Sequence, residues 1–450
     1  VTSAFEAPEP TAASWTSWSG AGAASWRDRY FAALLLAIAG YATLGKGFAY
    51  AGIPPLFPAE MLLGVGLATL AWPRPGTLPL FSLPMALMLA GIIWTVLRTL
   101  PFLSLYGIDA LRDSVILVYG LFAIVTANLL LERPRRIGNA VRWIGTFVFF
   151  YALVIVPIYA FETAIGEGMP VWPLSGAPIL LVRGGEIGVH LCAAVVFALL
   201  GFRRFHPVWI ALLAADVAFV ASLSRGGLVS IVLPALAAVA LSGRVRPLVN
   251  AALVILPVLA LLYATGAEIA LPGIKRSVDV GQLVDNVVSI AGSSGDSGLD
   301  DTKAWRLAWW DKIFGYTLHG DYFWTGKGFG INLALDDGFT TFVADGPLLR
   351  SPHNGNMTIL ARAGVPGLAI WVAILVSWFA TMLWYVVKAR RASDRDWSHW
   401  FIFLFAYLLS AYIDASFDVA LEGPLVGVVF WVLFGAGIGS AMVYDRLAPS

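Results

Sequence analysis

The chain has 450 residues, of which 59% are hydrophobic and only 13% charged, with a mean hydropathy of +0.79; a soluble domain carries about a quarter charged residues. A net charge of +1 supplies no broad basic field for nucleic acid. The single cysteine, Cys192, excludes an intrachain disulfide and a cysteine-rich metal site. These values put the chain in the membrane class, and the apolar runs taken next predict an all-α polytopic membrane protein.

Residues 1–25 are rich in Ala, Ser, Thr and Pro, lack the basic start of a signal peptide, and read as a disordered cytoplasmic tail. A helix needs about 20 apolar residues to cross the hydrocarbon core. Twelve stretches meet that need approximately: nine within 26–265, at about 30–45, 54–72, 78–97, 111–131, 142–161, 187–202, 207–223, 227–243 and 247–265, and three within 361–450, at about 361–387, 398–414 and 424–443. With the N-terminus in the cytoplasm, every inside connection carries a cation. In order these are Arg27 and Arg29; Arg74; Arg133, Arg135, Arg136 and Arg142; Arg203 and Arg204; Arg244 and Arg246; Lys388, Arg390, Arg391 and Arg395; and Arg446. That is the positive-inside pattern, and dropping one helix would spoil it.

The segment 266–360 then becomes one large periplasmic loop. Its Gly/Ser/Asp stretch, Ala291 to Asp301, predicts a flexible loop. From Lys303 to Phe314, Trp305, Trp309, Trp310 and Ile313 fall at helical spacing and predict a short amphipathic helix along the membrane interface. Gly326-Lys327-Gly328-Phe329-Gly330 lacks the Gly-Lys-Ser/Thr ending of a nucleotide loop.

Cations at outer helix ends are the candidates for chemistry, because charge within a membrane is costly and usually functional. Ser224-Arg225-Gly226-Gly227 suits an anion: a guanidinium forks onto phosphate oxygens, and glycine lets a ligand approach the backbone. A snorkelling turn arginine is the plainer reading. Arg306 among the tryptophans, and Arg183 and Arg112 at other helix ends, extend the set. His353, between Pro352 and Asn354 at the mouth of a helix, suits a general base; His319 is its loop rival, whereas His190, His206 and His399 lie within a span or near cytoplasmic segments. Asp216 could relay protons or simply pack, and Asp414, Asp418 and Glu422 line the last outer turn without a spacing that fixes a carboxylate pair.

Three of these features in order resemble the O-antigen ligase and polymerase superfamily of bacterial membrane glycosyltransferases. They are Ser224-Arg225-Gly226-Gly227; Trp305-Arg306 leading to the Gly326–Gly330 stretch; and His353-Asn354, nine residues, then Gly364-Val365-Pro366-Gly367. The last resembles the ligase signature His-(Asn/Ser/Gln)-x9-Gly-x-x-(Gly/Thr/Val), while Val229 stands where some ligases carry leucine after the first arginine. The resemblance implies an inner-membrane enzyme with its site facing the periplasm. It implies a glycan donor linked through pyrophosphate to undecaprenol, and an inverting transfer without metal, nucleotide or other cofactor. His353, Arg225 and Arg306 take the catalytic roles, with Arg183, Arg112, Asn354, Ser224 and Gly226 binding substrate.

One dominant outer loop favours a ligase, whose acceptor is lipid A-core. A polymerase would instead extend a lipid-linked repeat or growing exopolysaccharide. A lipid-linked oligosaccharide flippase or transporter should show repeated halves and broken polar helices at the midplane, and neither pattern is visible. A scaffold for polysaccharide export would leave His353 and the arginines unused.

Overall fold

Long uncharged apolar stretches become helices because, without water, each backbone N–H must find its acceptor within its own segment. The computed structural model describes residues 25–71, 79–80, 82–265, 297–340 and 349–447, and within them every regular element is helical, with only isolated bridges such as Gly45 to Leu181. The first helices are α1 (Trp26–Leu44), α2 (Pro58–Ala68), α3 (Leu83–Thr99), α4 (Ile108–Val118), α5 (Leu121–Glu132) and α6 (Arg135–Ile165). They are followed by α7 (Gly184–Leu200), α8 (Pro207–Leu223), α9 (Arg225–Ser242) and α10 (Val245–Thr265). The remaining long helices are α11 (Ser297–Leu318), α12 (Gly355–Arg391), α13 (Arg395–Ala415) and α14 (Pro424–Leu447), with short helical turns between elements, among them Leu333–Asp337.

Every apolar stretch read from the sequence overlaps one of these helices, but their lengths differ. Among the described residues, α3 with its continuation to Tyr106, α6 with its continuation to Gly168, α9, α12, α13 and α14 are long and apolar enough to cross a membrane. The pair α4 and α5 passes the same test together but is bent by 41°. Helices α2, α7 and α8 are apolar but shorter. The bend falls at Tyr119-Gly120, where the Met88 side chain sits against the glycine.

The last helix in sequence is the most central: 94% of its apolar window is buried, against 28% for α3. Gly435 and Gly439 face the backbone of Ala123 and Ala127 on α5, so small residues one turn apart let the two helices touch, as in membrane helix pairs generally.

Two parts of the large loop differ from expectation. Residues 291–296 lie outside the described residues, but Ser297 to Asp301 form the start of α11 rather than a loop. The helix is also covered by protein. Trp309 and Ile313 are fully buried with Leu333, Ala334, Leu360 and Ala361, so this apolar face packs on α12 instead of being left to the interface. Residues 1–24 lie outside the described residues; Ser25, assigned to the tail, caps α1 and shares a reciprocal capping box with Asp28.

Helix α12 begins before the predicted span and is broken at Gly364, which has φ 72° and ψ −174°. Pro366 has no N–H to give Arg362, and Val365 N–H turns to Phe323 O at 2.8 Å. Two carbonyls are thereby released, and Lys327 N–H reaches Ala361 O at 2.7 Å while Gly328 N–H reaches Arg362 O at 3.0 Å. The glycine-rich stretch and the Gly-Val-Pro-Gly signature are therefore one unit, a backbone clasp around a kink. A Cβ at 364 would lie 2.6 Å from Phe323 O. Gly364→Ala is expected to destabilise the protein by about 1–3 kcal/mol, the range for a side chain forced into left-handed backbone, and thermal unfolding in detergent measures it.

The helices bring two sets of charges to opposite ends. Arg27, Asp28, Glu132, Arg133 and Arg136 are ion-paired where α1 and α6 begin and α5 ends. The other end of α1 leads into Lys46. Arg225, at the start of α9, and His353, just before α12, lie at the ends of those helices opposite Arg244 and Arg390.

Candidate functional site

His353 adopts φ 51°, a left-handed conformation that is uncommon for a residue with a side chain and recurs at functional sites. Asn354 holds this turn from the other side: its Oδ1 accepts from Asn356 N–H (2.9 Å) and Met357 N–H (3.2 Å), and its Nδ2 donates to Ser416 O (2.9 Å). Asn354 is thus the helix cap of α12. Thr358 Oγ1 donates to Glu422 Oε1 at 2.7 Å, a second tie between α12 and the turn 416–423.

That turn supplies the partner of the histidine. His353 Nδ1 lies 3.0 Å from Asp418 Oδ1, with the side chains 24% and 31% exposed, so both are reachable yet partly withdrawn from water. Burial alone would raise the Asp418 carboxyl. The His353 hydrogen bond, the Arg183 and His353 charges and the Val419 N–H overcome it and hold the group at about 2. A carboxylate so held can only accept, so it takes a hydrogen from Nδ1, and in the neutral imidazole that leaves the lone pair on Nε2.

The cations gather around this pair. Arg183, at the start of α7, has NH1 3.8 Å from Asp418 Oδ2. Arg306 on α11 donates to Phe417 O at 2.8 Å. Burial lowers the Arg306 guanidinium from its ordinary value; Asp418 opposes that shift, and the like charge of Arg225 adds to it. Asp418 and Arg225 therefore both act on the Arg306 guanidinium. Trp310, next on the same helix turn, donates to Pro352 O at 3.0 Å and fixes α11 over the histidine turn.

Ser224 caps α9 by accepting Gly227 N–H at 3.1 Å. Gly226 faces Phe417, where an added Cβ would stand 3.1 Å from the Phe417 Cβ. The motif is thus a corner where α7, α9 and the turn 416–423 meet, and the approach permitted by Gly226 is made by protein. Arg112 lies in a neighbouring cluster, paired with Asp109 (3.3 Å) and Asp113 (3.4 Å). The same two carboxylates hold Arg350 and the buried Arg362, at 3.2, 3.1 and 2.9 Å. His353, Arg225, Arg306, Arg183, Asn354, Ser224 and Gly226 come together; Arg112 has its ion partners in the adjoining group.

Three participants escaped the sequence reading in their present role. Asp418 was one of several acids without a fixed partner, and Lys46 and Glu186 were not among the candidates. Lys46 is lowered by burial and by Arg183, while Glu186 and Asp418 pull it back, which puts it in the same field. Glu186 Oε2 is buried without a hydrogen-bond partner among the described residues. The need of a catalytic imidazole for an orienting carboxylate was the one available clue to Asp418.

The lowered carboxyl has a pH consequence. An ordinary aspartate titrates near about 3.9, so the Asp418 contribution to stability is fully present above about pH 4 and is lost as pH falls through about 2. Thermal unfolding between these limits should show wild type losing more stability than Asp418→Asn.

Several apolar helices long enough to span, with a histidine–carboxylate pair beside guanidiniums at one end, fit a multi-pass membrane protein. Residues 209–372 match the family model described as O-antigen ligase. The match contains Arg225, Arg306 and the His353–Gly367 signature, and it supports a likeness of this part of the chain to the O-antigen ligase-like superfamily. No curated protein matches the chain.

Proposed function

We propose that the protein transfers a glycan from an undecaprenyl-pyrophosphate donor to an acceptor hydroxyl at the periplasmic face of the inner membrane. In this reading α1, α2, α7, α8 and α10 join the longer helices to make twelve crossings, with both termini cytoplasmic. The segregation of the Arg27–Arg136 and Arg244–Arg395 clusters from the His353 end supports that orientation. The observation that carries the reading is His353 Nδ1 bonded to Asp418 beside Arg183, Arg225 and Arg306.

The steps follow from the charges. Nε2 of His353 takes the proton of the acceptor hydroxyl as its oxygen attacks the anomeric carbon. The new carbon–oxygen bond forms on the face opposite the diphosphate, so the configuration inverts. The bond from the anomeric carbon to the diphosphate oxygen breaks, and its electron pair leaves with that oxygen. Arg225 and Arg306 stabilise the charge growing there, with Arg183 alongside. Asp418 stabilises the imidazolium until the proton is released.

We assign lipid A-core as the acceptor, which makes the enzyme a ligase. Purified protein given a defined lipid-linked donor and either lipid A-core or a second lipid-linked repeat tests this. Transfer to lipid A-core supports the ligase; extension of the repeat alone makes the enzyme a polymerase, and no transfer to either removes the proposal.

A further inference from the structure

At the end of the bundle opposite His353 lies a cavity of about 260 Å³. Ser242 and Arg244 line it from the end of α9, Arg390 and Ser393 from the end of α12, and Arg395, Ser398 and His399 from the start of α13. None of these lining residues is acidic. Ser398 is buried on α13, Arg244 and His399 are half-buried, and Arg390 and Arg395 are exposed. The turn between α12 and α13 is fixed by Ser393 N–H on Arg390 O (2.9 Å) and Asp394 N–H on Ala389 O (2.8 Å). Flanking Asp394 accepts Trp397 N–H as the cap of α13.

Like charges held together by a folded backbone raise the energy of the empty site and favour an anion between them. Burial lowers the Arg244 guanidinium, and the charge of Arg395 adds to the shift. One donor of Arg244 is used on Leu200 O, and a guanidinium has five. Guanidinium forks with hydroxyl donors are the chemistry of phosphate recognition. The volume falls below the roughly 300–1,000 Å³ of pockets for drug-sized ligands, which suits a headgroup.

We propose that this cavity binds a phosphate group, carried by an anionic lipid headgroup or present as the free ion. The site is separate from the His353 centre and stands without the glycosyltransferase assignment.

Thermal unfolding of the full chain in zwitterionic detergent tests it, titrating inorganic phosphate, phosphatidylglycerol or phosphatidylcholine. Phosphatidylglycerol is expected to raise Tm saturably, and Arg390→Gln/Arg395→Gln to raise the half-saturating concentration about tenfold or more through loss of charge-assisted contacts. These two side chains are exposed, so the variant keeps the fold; its Tm without ligand checks this. A shift with the lipid alone assigns a headgroup, and a shift with inorganic phosphate as well assigns the phosphate group itself. No shift with either, an equal shift with phosphatidylcholine, or an undiminished shift in the variant overturns the proposal.

Discussion

His353→Ala is expected to reduce glycan transfer by about 10²–10⁴-fold, the usual worth of a positioned general base, while leaving the protein folded. The fold should survive because the side chain is partly exposed and because Asn354, rather than His353, caps α12. Asp418 would still hold the Val419 N–H at 2.8 Å. The loss should fall on turnover rather than on donor affinity, since the arginines remain. Asp418→Asn should retain more activity than His353→Ala: the amide can still accept from Nδ1 but no longer offsets the imidazolium charge. Near-normal turnover in His353→Ala would remove the residue from the mechanism. Steady-state kinetics on purified protein, with circular dichroism as the check on folding, separates these outcomes.

The second large effect is expected at the guanidiniums. Arg225→Ala and Arg306→Ala should each lower turnover by about 10²–10³-fold, as when one preorganised donor is taken from a transition state. Lysine at either position should recover only part, because an ammonium keeps the charge but loses the planar fork. Arg306 carries an added structural duty, its bond to Phe417 O, so Arg306→Ala should also shift the turn that presents Asp418. Arg225→Ala should not alter that turn through the same bond. A larger loss for Arg306→Ala than for Arg225→Ala, accompanied by a lower Tm, is therefore the expected pattern.

Much of this was legible in the sequence because membrane burial writes itself in long apolar runs. The placing of helices followed from those runs, and the opposed charge clusters followed from cations between them. Helix breaks were less legible. The kink at Gly364 depends on Phe323, Lys327 and Gly328, which lie far from it in sequence and act through their backbone. The same distance hid the site's completeness. Arg225, Arg306 and His353 each stand in a recognisable local pattern, whereas Asp418 has none and joins His353 only because the turn after α13 folds back onto Asn354. Arg112 shows the converse: a cation at a helix end whose partners, Asp109 and Asp113, lie on its own helix and belong to the network around Arg362.

Single-displacement transfer, with His353 as base and a diphosphate as leaving group, is tested most directly by the products of one turnover. Purified wild-type protein is mixed with a lipid-linked glycan of known anomeric configuration and an acceptor, and the released lipid and new linkage are identified. Undecaprenyl diphosphate and an inverted linkage are the expected products, both lost together in His353→Ala. Release of the monophosphate, or retention of configuration, would contradict it.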